Sequence, residues 1–288
     1  MTLRLATRGS RLALAQTDLV RAALAAAGHP DTEPTVIHTH GDRDQATPVE
    51  QMTGQGWFTG EIERALVEGE AELAVHSAKD LPSELAPSLE VAAYLGRADP
   101  RDALVSRGGA TLAGLPHGAR VGTSSARRGN LLRVLRSDLD VVPMRGNVDT
   151  RLGKLDAGEV DALVVAAAGL DRLGAGSRIS ERLDPRDCVP APCQGAVAVE
   201  AVRGSAAAAV AGAIDVAPVR VAMICERTVL VALGGGCLLP LGAHAWIDGD
   251  DLMCIAAIAD ERGHRHAEMR GPVGDPHGLG ARIAERLR

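Results

Sequence analysis

Aromatic side chains are almost absent from this 288-residue sequence, which contains two Trp, one Tyr and one Phe. Proteins that bind single-stranded nucleic acid stack bases on aromatic rings, so this scarcity argues against such a function. The net charge of −6 also argues against broad attachment to nucleic acid or to an anionic membrane. The core must therefore be built from Leu, Val, Ile and Ala, and any anion site must be local.

Long apolar runs and paired cysteines are also missing. No stretch approaches the roughly 18 consecutive apolar residues of a membrane span, and the first residues lack the apolar segment of a secretory signal. Five cysteines occur without a C-x-x-C pair, so we expect no disulfide framework. We interpret His264 and His266, in RGHRH, as a solvated polar turn and expect no metal site. These features predict a cytoplasmic protein.

Short apolar runs alternate with helical patterns along most of the chain. Strand-like runs occur at 3–7, 71–77, 119–123, 140–146 and 160–167, with helical patterns between them. This βαβα order predicts α/β domains with parallel or mixed sheets, whose ligands bind beyond the carboxyl ends of the strands. A chain of this length is expected to form two or three domains.

Proline and glycine clusters indicate where the chain passes between domains. The clusters are GRADPRDA, 96–103, and CVPAPCQGA, 188–196, and both are candidate hinges. Beyond Leu241, two antiparallel strand patterns and a terminal helical pattern predict a third, small α+β unit.

Arginine recurs at three predicted strand-to-helix junctions, TRGSR at 7–11, GTSSARR at 122–128 and RGNVDTR at 145–151. A helix N-terminus carries partial positive charge, so arginine is unfavourable there unless an anion is bound. The planar guanidinium matches a carboxylate or a phosphate in bidentate fashion. A solvated surface is the alternative for any single junction. Three junctions together favour a shared anion-binding cleft. These residues do not distinguish a carboxylate ligand from a phosphate ligand.

Two further motifs carry reactive side chains. VHSAKD delivers Ser77, Lys79 and Asp80 from the end of an apolar strand. There Lys79 can bind an acid and Asp80 can stabilise developing positive charge. In LGGGCLLP, three glycines precede Cys237 and leave space for a large group. An exposed Lys–Asp pair and a small buried cysteine are the alternative interpretations.

As a set, the motifs resemble one enzyme family. In chain order they are ATRGSRLALAQ, VHSAKDLP, DPRDALVS, VGTSSARR, RGNVDTRLGKL, DALVVAAAGLDRLG, PAPCQGAVAVE and GGGCLLPLGA. Their letters, order and spacing resemble the porphobilinogen deaminases, also called hydroxymethylbilane synthases, from about residue 3 to 245. The remaining residues match only in general pattern.

The resemblance implies an α/β fold with two periplasmic-binding-protein-like domains, two chain crossovers and a small C-terminal α+β domain. The implied boundaries are 1–97 and 194–214 for domain 1, 98–193 for domain 2 and 215–288 for domain 3, which carries the cofactor cysteine. The resemblance also implies a monomer that needs no obligate protein partner.

The resemblance implies a transferase of tetrapyrrole biosynthesis. It would carry a dipyrromethane cofactor on the sulfur of Cys237 and add four porphobilinogen units head to tail. Each addition expels ammonia, and water finally releases hydroxymethylbilane. Porphobilinogen and its oligomers are therefore the expected ligands. Every pyrrole carries an acetate and a propionate, so the growing chain is a polyanion.

Site residues are carried over from the resemblance position by position. Catalysis is assigned to Asp80. Cofactor binding is assigned to Cys237, Lys79, Thr123, Ser124, Ser125, Arg127, Arg128, Arg145 and Asn147. Substrate binding is assigned to Arg8, Ser10, Phe58, Ser77, Arg151 and Gln194.

Four positions depart from the pattern of the family. Gln55 replaces a frequent lysine, Cys193 a usual glycine, Gly234 a frequent acidic residue and Leu238 a common polar residue. None of these departures falls on a main catalytic position, so we favour the hypothesis that the protein is an active enzyme. Two alternatives stay open, a non-catalytic binding module for a small acid and a divergent paralogue of the enzyme. A cysteine in a glycine loop favours the enzyme over the binding module.

Overall fold

The computed structural model describes residues 2–43, 59–235 and 239–288. Two predicted site residues, Phe58 and Cys237, lie outside the described residues, as do two of the departures, Gln55 and Leu238.

Strands and helices alternate through most of the described chain. Its strands are β1 (Leu3–Arg8), β2 (Thr32–Ile37), β3 (Leu73–Ser77), β4 (Leu89–Tyr94), β5 (Asp102–Ser106), β6 (Arg120–Gly122), β7 (Asp140–Val142), β8 (Ala162–Ala166), β9 (Glu181–Arg182), β10 (Val197–Val202), β11 (Leu241–Asp248), β12 (Asp251–Asp260) and β13 (Gly263–Pro272). Its α-helices are α1 (Arg11–Ala26), α2 (His40–Arg43), α3 (Gly60–Val67), α4 (Ala126–Leu135), α5 (Val148–Asp156), α6 (Ala167–Arg172), α7 (Ala206–Gly212), α8 (Ala217–Ala232) and α9 (Pro276–Leu287).

The three arginine-bearing junctions are strand-to-helix junctions in the structure, as predicted. Ser10, Ser125 and Asn147 are the N-caps of α1, α4 and α5. Each side-chain oxygen accepts a hydrogen bond from the backbone N–H three residues later, at 3.2, 3.4 and 2.9 Å respectively. These bonds satisfy donors that the first helical turn leaves without a partner, which is why the helices begin at these positions.

The chain divides into two compact units. The first comprises Met1–Ala98 and Ala196–Val221, and the second comprises Asp99–Gly195 and Ala222–Arg288. The breaks after Ala98 and Gly195 fall inside the proline- and glycine-rich segments singled out in the sequence. A separate third domain at 215–288 stays a prediction.

The first unit contains a five-stranded sheet of order β2-β1-β3-β10-β4. β1 runs parallel to β2 and β3, whereas β10 is antiparallel to β3 and β4. Side chains alternate between the two faces, so Leu5 packs with Leu24 of α1 and Ala6 packs with Ile62 of α3. Both faces of this sheet are therefore covered by helices.

The second unit contains a five-stranded sheet of order β7-β6-β8-β5-β9. β6 is parallel to β7 and β8, and β5 is antiparallel to β8. In both sheets the fourth strand is antiparallel and begins soon after the chain crosses from one unit to the other. The structure thus confirms the predicted α/β fold class. The chain passes between the two units after Ala98 and after Gly195, and a third time after Val221.

The C-terminal residues add a three-stranded antiparallel sheet, β11-β12-β13, to the second unit. Ile255 and Ala257 of β12 belong to the same buried cluster as Leu131 of α4. Asn130 Nδ2, also on α4, donates a hydrogen bond to the carbonyl oxygen of Ala259 at 2.6 Å. These contacts explain why this small sheet forms one compact unit with the second five-stranded sheet.

The RGHRH segment is a strand, and the predicted polar turn is wrong. β13 pairs with β12 from Gly263, opposite Asp260, to Pro272, opposite Asp251. Most of its side chains are exposed or half-buried, and Ala267 is the buried one. Backbone pairing with β12 along its full length defines this edge strand, so hydrophobic periodicity gave no signal for it.

Among the described helices, none alone has the length and apolar composition needed to span a membrane. α7 and α8 meet these requirements only as a pair, and they are bent by 110° at the break between them. Met223, Cys225 and Val229 of α8 are buried within the protein.

Gly242, in β11, lies very close to the segment that follows β9. A Cβ at this position would lie 2.5 Å from the carbonyl oxygen of Val189 and 2.7 Å from its Cβ. The neighbouring Ala243 N–H donates a hydrogen bond to the carbonyl oxygen of Pro190 at 2.8 Å. Only glycine therefore lets β11 approach this segment closely enough to form that bond.

We expect Gly242→Ala to lower the free energy of unfolding by about 1–3 kcal/mol, because the added methyl group must push β11 away from Val189. Gly274→Ala is the matched control, since a Cβ there meets nothing within 4 Å. Its expected effect is below about 0.5 kcal/mol. Urea unfolding followed by circular dichroism measures both variants, and equal midpoints would contradict the close approach.

Candidate active site

The first unit brings one set of predicted residues to a single edge of its sheet. β1 and β3 are adjacent and parallel, so Arg8, which ends β1, and Ser77, which ends β3, emerge at the same edge. Lys79 and Asp80 follow in a short 3₁₀ turn, and both side chains are exposed. The carboxylate of Asp80 is therefore accessible at the carboxyl end of β3.

Gln16 supports this edge, and the sequence analysis missed it. The residue is buried on α1, the helix capped by Ser10, and its amide Nε2 lies 2.9 Å from the hydroxyl oxygen of Ser77. No pattern in the sequence singled it out, because α1 carries several other polar and charged residues. Through this contact α1 fixes the end of β3.

A buried His–Glu pair fastens β3 to β10 just before the same edge. Nε2 of His76 lies 3.0 Å from Oε2 of Glu200, and the side chains are 3% and 0% exposed. On α3, burial raises the pKa of Glu63, and the negative charge of Glu200 adds to that shift. Neither His76 nor Glu200 stood out in the sequence, because each lies within an apolar run. The pair holds the strand that leads into Lys79 and Asp80.

The second unit brings the other two arginine-bearing junctions together. β6 and β7 are parallel neighbours, with Gly122 opposite Val142. Ser124 Oγ accepts a hydrogen bond from the Met144 N–H at 3.1 Å, which joins the segment after β6 to the segment after β7. The two junctions therefore share one edge of the second sheet.

The hydroxyl groups of the first of these junctions are used within the protein. Thr123 Oγ1 accepts from the Ser125 N–H at 3.3 Å, and Ser125 Oγ caps α4. Asn147 caps α5 in the same way, with its Oδ1 accepting from both the N–H and the hydroxyl of Thr150. Contacts of these side chains with a ligand stay predictions.

Arg127 and Arg128, in the first turn of α4, share one buried carboxylate. Nη1 of Arg127 donates to Oδ2 of Asp102 at 2.7 Å, and Nε of Arg128 donates to Oδ1 at 2.9 Å. The side chain of Asp102 is 0% exposed, and those of the two arginines are 4% and 7% exposed. Arg127 also donates to the carbonyl oxygen of Val189 at 2.5 Å. A solvated surface is thus excluded for this junction.

This group of charges is held in a fixed protonation state. Burial by itself would raise the pKa of Asp102, but Arg127 and Arg128 outweigh it and hold the pKa far below the usual carboxyl range. Burial by itself would lower the pKa of Arg127, and Asp102 reverses that shift. Cys188 Sγ donates to Asp102 at 3.3 Å, and burial, together with this carboxylate, raises the thiol pKa to about 12. One carboxylate therefore faces two guanidinium groups, which leaves a net positive charge.

Gln194 completes the group around Asp102. Its Nε2 donates to Oδ1 of Asp102 and to the carbonyl oxygen of Pro100, both at 2.8 Å, and its Oε1 accepts from Nη2 of Arg128 at 3.0 Å. The structure thus joins two predicted site residues, Gln194 and Arg128, through a carboxylate that the sequence analysis left without a role. Asp102 begins β5, which is antiparallel, and lies opposite Ala166 at the carboxyl end of β8.

Arg128, Arg145 and Arg151 form the arginine cluster of the second unit. Burial, with the positive charges of Arg128 and Arg145, lowers the pKa of Arg151 to about 10. Nε of Arg151 donates to the carbonyl oxygen of Gly146 at 2.8 Å, which holds the side chain against the loop after β7. Repulsion among these groups costs free energy that a bound anion would offset. The arginine cluster is therefore suited to binding carboxylates.

Asp102→Asn should leave two buried guanidinium groups without their carboxylate and cost about 3–5 kcal/mol near pH 7. The control, Asp156→Asn, removes the carboxylate of an ion pair with Arg178 in which Asp156 is 57% exposed; it should cost less than about 1 kcal/mol.

Urea unfolding at several pH values checks the mechanism behind this loss. Because the pKa of Asp102 is lowered in the folded state, its stabilisation is present above the ordinary carboxyl pKa and is lost as the pH falls below about 4. The difference between wild type and Asp102→Asn should therefore narrow toward about pH 3. A difference that stays constant over this pH range would contradict the lowered pKa.

Two family models match the chain. Residues 3–209 match the model described as "Porphobilinogen deaminase, dipyromethane cofactor binding domain", and residues 221–288 match "Porphobilinogen deaminase, C-terminal domain". Curated proteins with the name "Porphobilinogen deaminase" are similar over almost the whole chain. That of Roseiflexus castenholzii is 48% identical and covers 99% of this chain and 95% of its own length. That of Stenotrophomonas maltophilia is 47% identical, with coverages of 99% and 96%.

Similarity to solved structures is weaker. The VFT2 domain of Bordetella pertussis BvgS has a TM-score of 0.42 and 18% identity, and the alignment covers 74% of this chain and 86% of that chain. A YaeC-family lipoprotein from Enterococcus faecalis has a TM-score of 0.44 and 12% identity, with coverages of 75% and 91%. The two family models together cover nearly all of the sequence, and the curated relatives share close to half of its residues. The chain therefore belongs to the porphobilinogen deaminase family of transferases.

Proposed function

We propose that the residues at these two sheet edges perform the reaction of the family, the head-to-tail polymerisation of four porphobilinogen molecules to hydroxymethylbilane with release of ammonia. The observation that carries this proposal is the arginine cluster of the second unit. Each porphobilinogen brings an acetate and a propionate, so every addition increases the negative charge of the bound chain. A protein with a net charge of −6 can hold such a polyanion only at a local positive site.

The residues present fit a dipyrromethane cofactor, which the matched family domain binds. Its carboxylates suit the bidentate geometry of guanidinium groups, and we assign them to Arg128 and Arg145 in the second unit and to Lys79 in the first. We assign its covalent attachment to the sulfur of Cys237. When bound, the group supplies the free pyrrole α-carbon to which the first substrate is joined.

In the second unit, the remaining residues orient the cationic groups. Asp102 holds Arg127 in the core, so we propose that Arg127 acts mainly by fixing the start of α4 beside Arg128. Thr123, Ser124, Ser125 and Asn147 shape the two junctions and supply hydrogen bonds at the helix starts. Arg151 stays protonated at neutral pH, since its pKa is lowered only to about 10, and we assign it to substrate carboxylates.

In the first unit, Asp80 is the proposed catalytic residue. Loss of ammonia breaks the C–N bond of the aminomethyl group and leaves positive charge on the methylene-pyrrole. A carboxylate placed beside the pyrrole N–H stabilises that charge. A C–C bond then forms between this methylene carbon and the free α-carbon of the second pyrrole. The α-proton of that second ring passes to solvent as the ring regains its aromaticity. Arg8, Ser10 and Ser77 lie at the same sheet edge and are assigned to substrate binding.

Phe58 and Gln194 complete the proposed substrate-binding set. The role of Gln194 is supported by its hydrogen bond to Arg128. The cytoplasmic location and the independence from a protein partner stay predictions.

Arg151→Leu should raise the KM for porphobilinogen by at least about tenfold, because a hydrogen bond to a charged group contributes about 1.5–3 kcal/mol. Arg178→Leu is the matched control, since this arginine is exposed and pairs with Asp156. Initial rates of ammonia release measure both variants. Equal KM values for the two variants would remove Arg151 from the anion site.

Asp80→Ala should lower turnover by at least about a hundredfold while the covalently bound cofactor is retained. Intact-protein mass spectrometry reports the cofactor, and Cys237→Ser is the control that should lose its mass. Normal ammonia release by Asp80→Ala would reject the catalytic role. A Cys237→Ser protein that still carries the added mass would reject the attachment site. Wild-type protein that binds porphobilinogen without releasing ammonia would favour the binding module.

A further inference from the structure

A buried carboxylate on α8 joins three segments of the second unit. Glu226 is fully buried, and its two oxygens accept hydrogen bonds from the backbone N–H groups of Cys193, at 2.5 Å, and Ala245, at 2.6 Å. Charge-assisted bonds of this kind are stronger than bonds between neutral groups, and they offset part of the cost of burying a charge. Glu226 thus ties α8 to β11 and to the segment that leads into β10.

The bond to Cys193 holds a tight turn of residues 191–194. The Gln194 N–H donates to the carbonyl oxygen of Ala191 at 3.0 Å, Pro192 is the second residue, and Cys193, the third, has a φ of 63°. This is the arrangement of a type II turn, in which the third position favours glycine. Among the described residues, Cys193 is the one non-glycine residue with a positive φ. The turn therefore needs support from outside, and Glu226 provides it.

The same turn sets the position of Gln194. The amide of Gln194 bonds to Asp102 and accepts a hydrogen bond from Nη2 of Arg128. A continuous path of contacts therefore leads from the carboxylate of Glu226, through the peptide N–H of Cys193 and the next residue, to the guanidinium of Arg128. α8 ends at Ala232, five residues before Cys237 in the sequence.

We propose that Glu226 is a positioning residue of the carboxylate-binding site, acting through the 191–194 turn and Gln194 on Arg128. The inference rests on the proposed function, because it requires Arg128 to bind a carboxylate of the pyrrole chain. In a chain with Cys193 where relatives usually have glycine, the carboxylate also compensates for a turn residue that disfavours this backbone conformation. Glu226 thus links α8, the helix that precedes the cofactor cysteine in the sequence, to the proposed anion site.

Glu226→Gln tests the path of contacts from Glu226 to Arg128. The amide has one oxygen in place of two, and its NH2 group cannot accept the second backbone hydrogen bond. On enzyme whose cofactor mass has been verified, we expect its KM for porphobilinogen to rise about tenfold, with a smaller change in kcat. Val229→Ala is the matched control, since Val229 is buried on the same helix and takes no part in the turn. It should lower the unfolding midpoint and leave KM within about twofold of wild type.

A double-mutant cycle with Gln194→Ala separates positioning from general destabilisation. If Glu226 acts through Gln194, adding Glu226→Gln to Gln194→Ala should change KM by less than about twofold. Effects that multiply would overturn the proposal. Amide hydrogen exchange gives a readout that is independent of activity: segment 190–196 should exchange faster in Glu226→Gln than in Val229→Ala, and equal exchange in the two variants would also overturn it.

Should Glu226→Gln fail to fold, Glu226→Asp keeps the charge but is too short to reach both N–H groups, and a wild-type KM for that variant would reject the proposal. The outcome also separates this inference from the proposed function. If Arg151→Leu raises KM and the Glu226 variants do not, the positioning role alone fails. If Arg151→Leu has no effect, the anion site itself is misassigned and the positioning role fails with it.

Discussion

One buried carboxylate, Asp102, sets the arrangement of the second unit. Its charge allows Arg127 and Arg128 to leave water at the start of a helix, where the partial charge of the backbone opposes them. The start of β5, the start of α4 and Gln194 all meet at this group. Arg127 and Arg128 outweigh burial and lower the pKa of Asp102, whereas burial and the negative charge of Asp102 raise the pKa of Cys188.

The excess of guanidinium over carboxylate in the second unit is the basis on which we propose that an acidic protein binds a carboxylate-rich ligand. Asp102 neutralises only one of its two arginine partners, and Arg145 and Arg151 add further positive charge at the same sheet edge. Burial lowers the pKa of Arg151, and the positive charges of Arg128 and Arg145 lower it further. The acidic residues that dominate the net charge include many in surface ion pairs, such as Asp156 with Arg178 and Glu268 with Arg186. The position of the arginine side chains, and not the net charge of the protein, is therefore what makes this edge of the sheet suitable for a carboxylate-rich ligand.

The three strand-to-helix junctions were predicted correctly because a few neighbouring residues define each of them. Ser10, Ser125 and Asn147 cap their helices because a hydroxyl or amide three residues before a free N–H is a short-range arrangement. β13 was missed because its pairing partner, and not its own side chains, makes it a strand. Gln16, Asp102 and Glu226 were missed for a related reason. The role of each depends on a partner 19 to 92 positions away, which no local sequence pattern reveals.

The sequence by itself determined the family, the α/β class, the helix starts and the concentration of arginine at strand ends, because all of these depend on the order and spacing of nearby residues. Tertiary structure alone decided which charges meet. The antiparallel direction of β5 brings Asp102 to the edge where β8 ends, and the turn at 191–194 brings Gln194 to Arg128. Strand direction and long-range pairing fix these contacts, and neither is encoded in the spacing of adjacent residues.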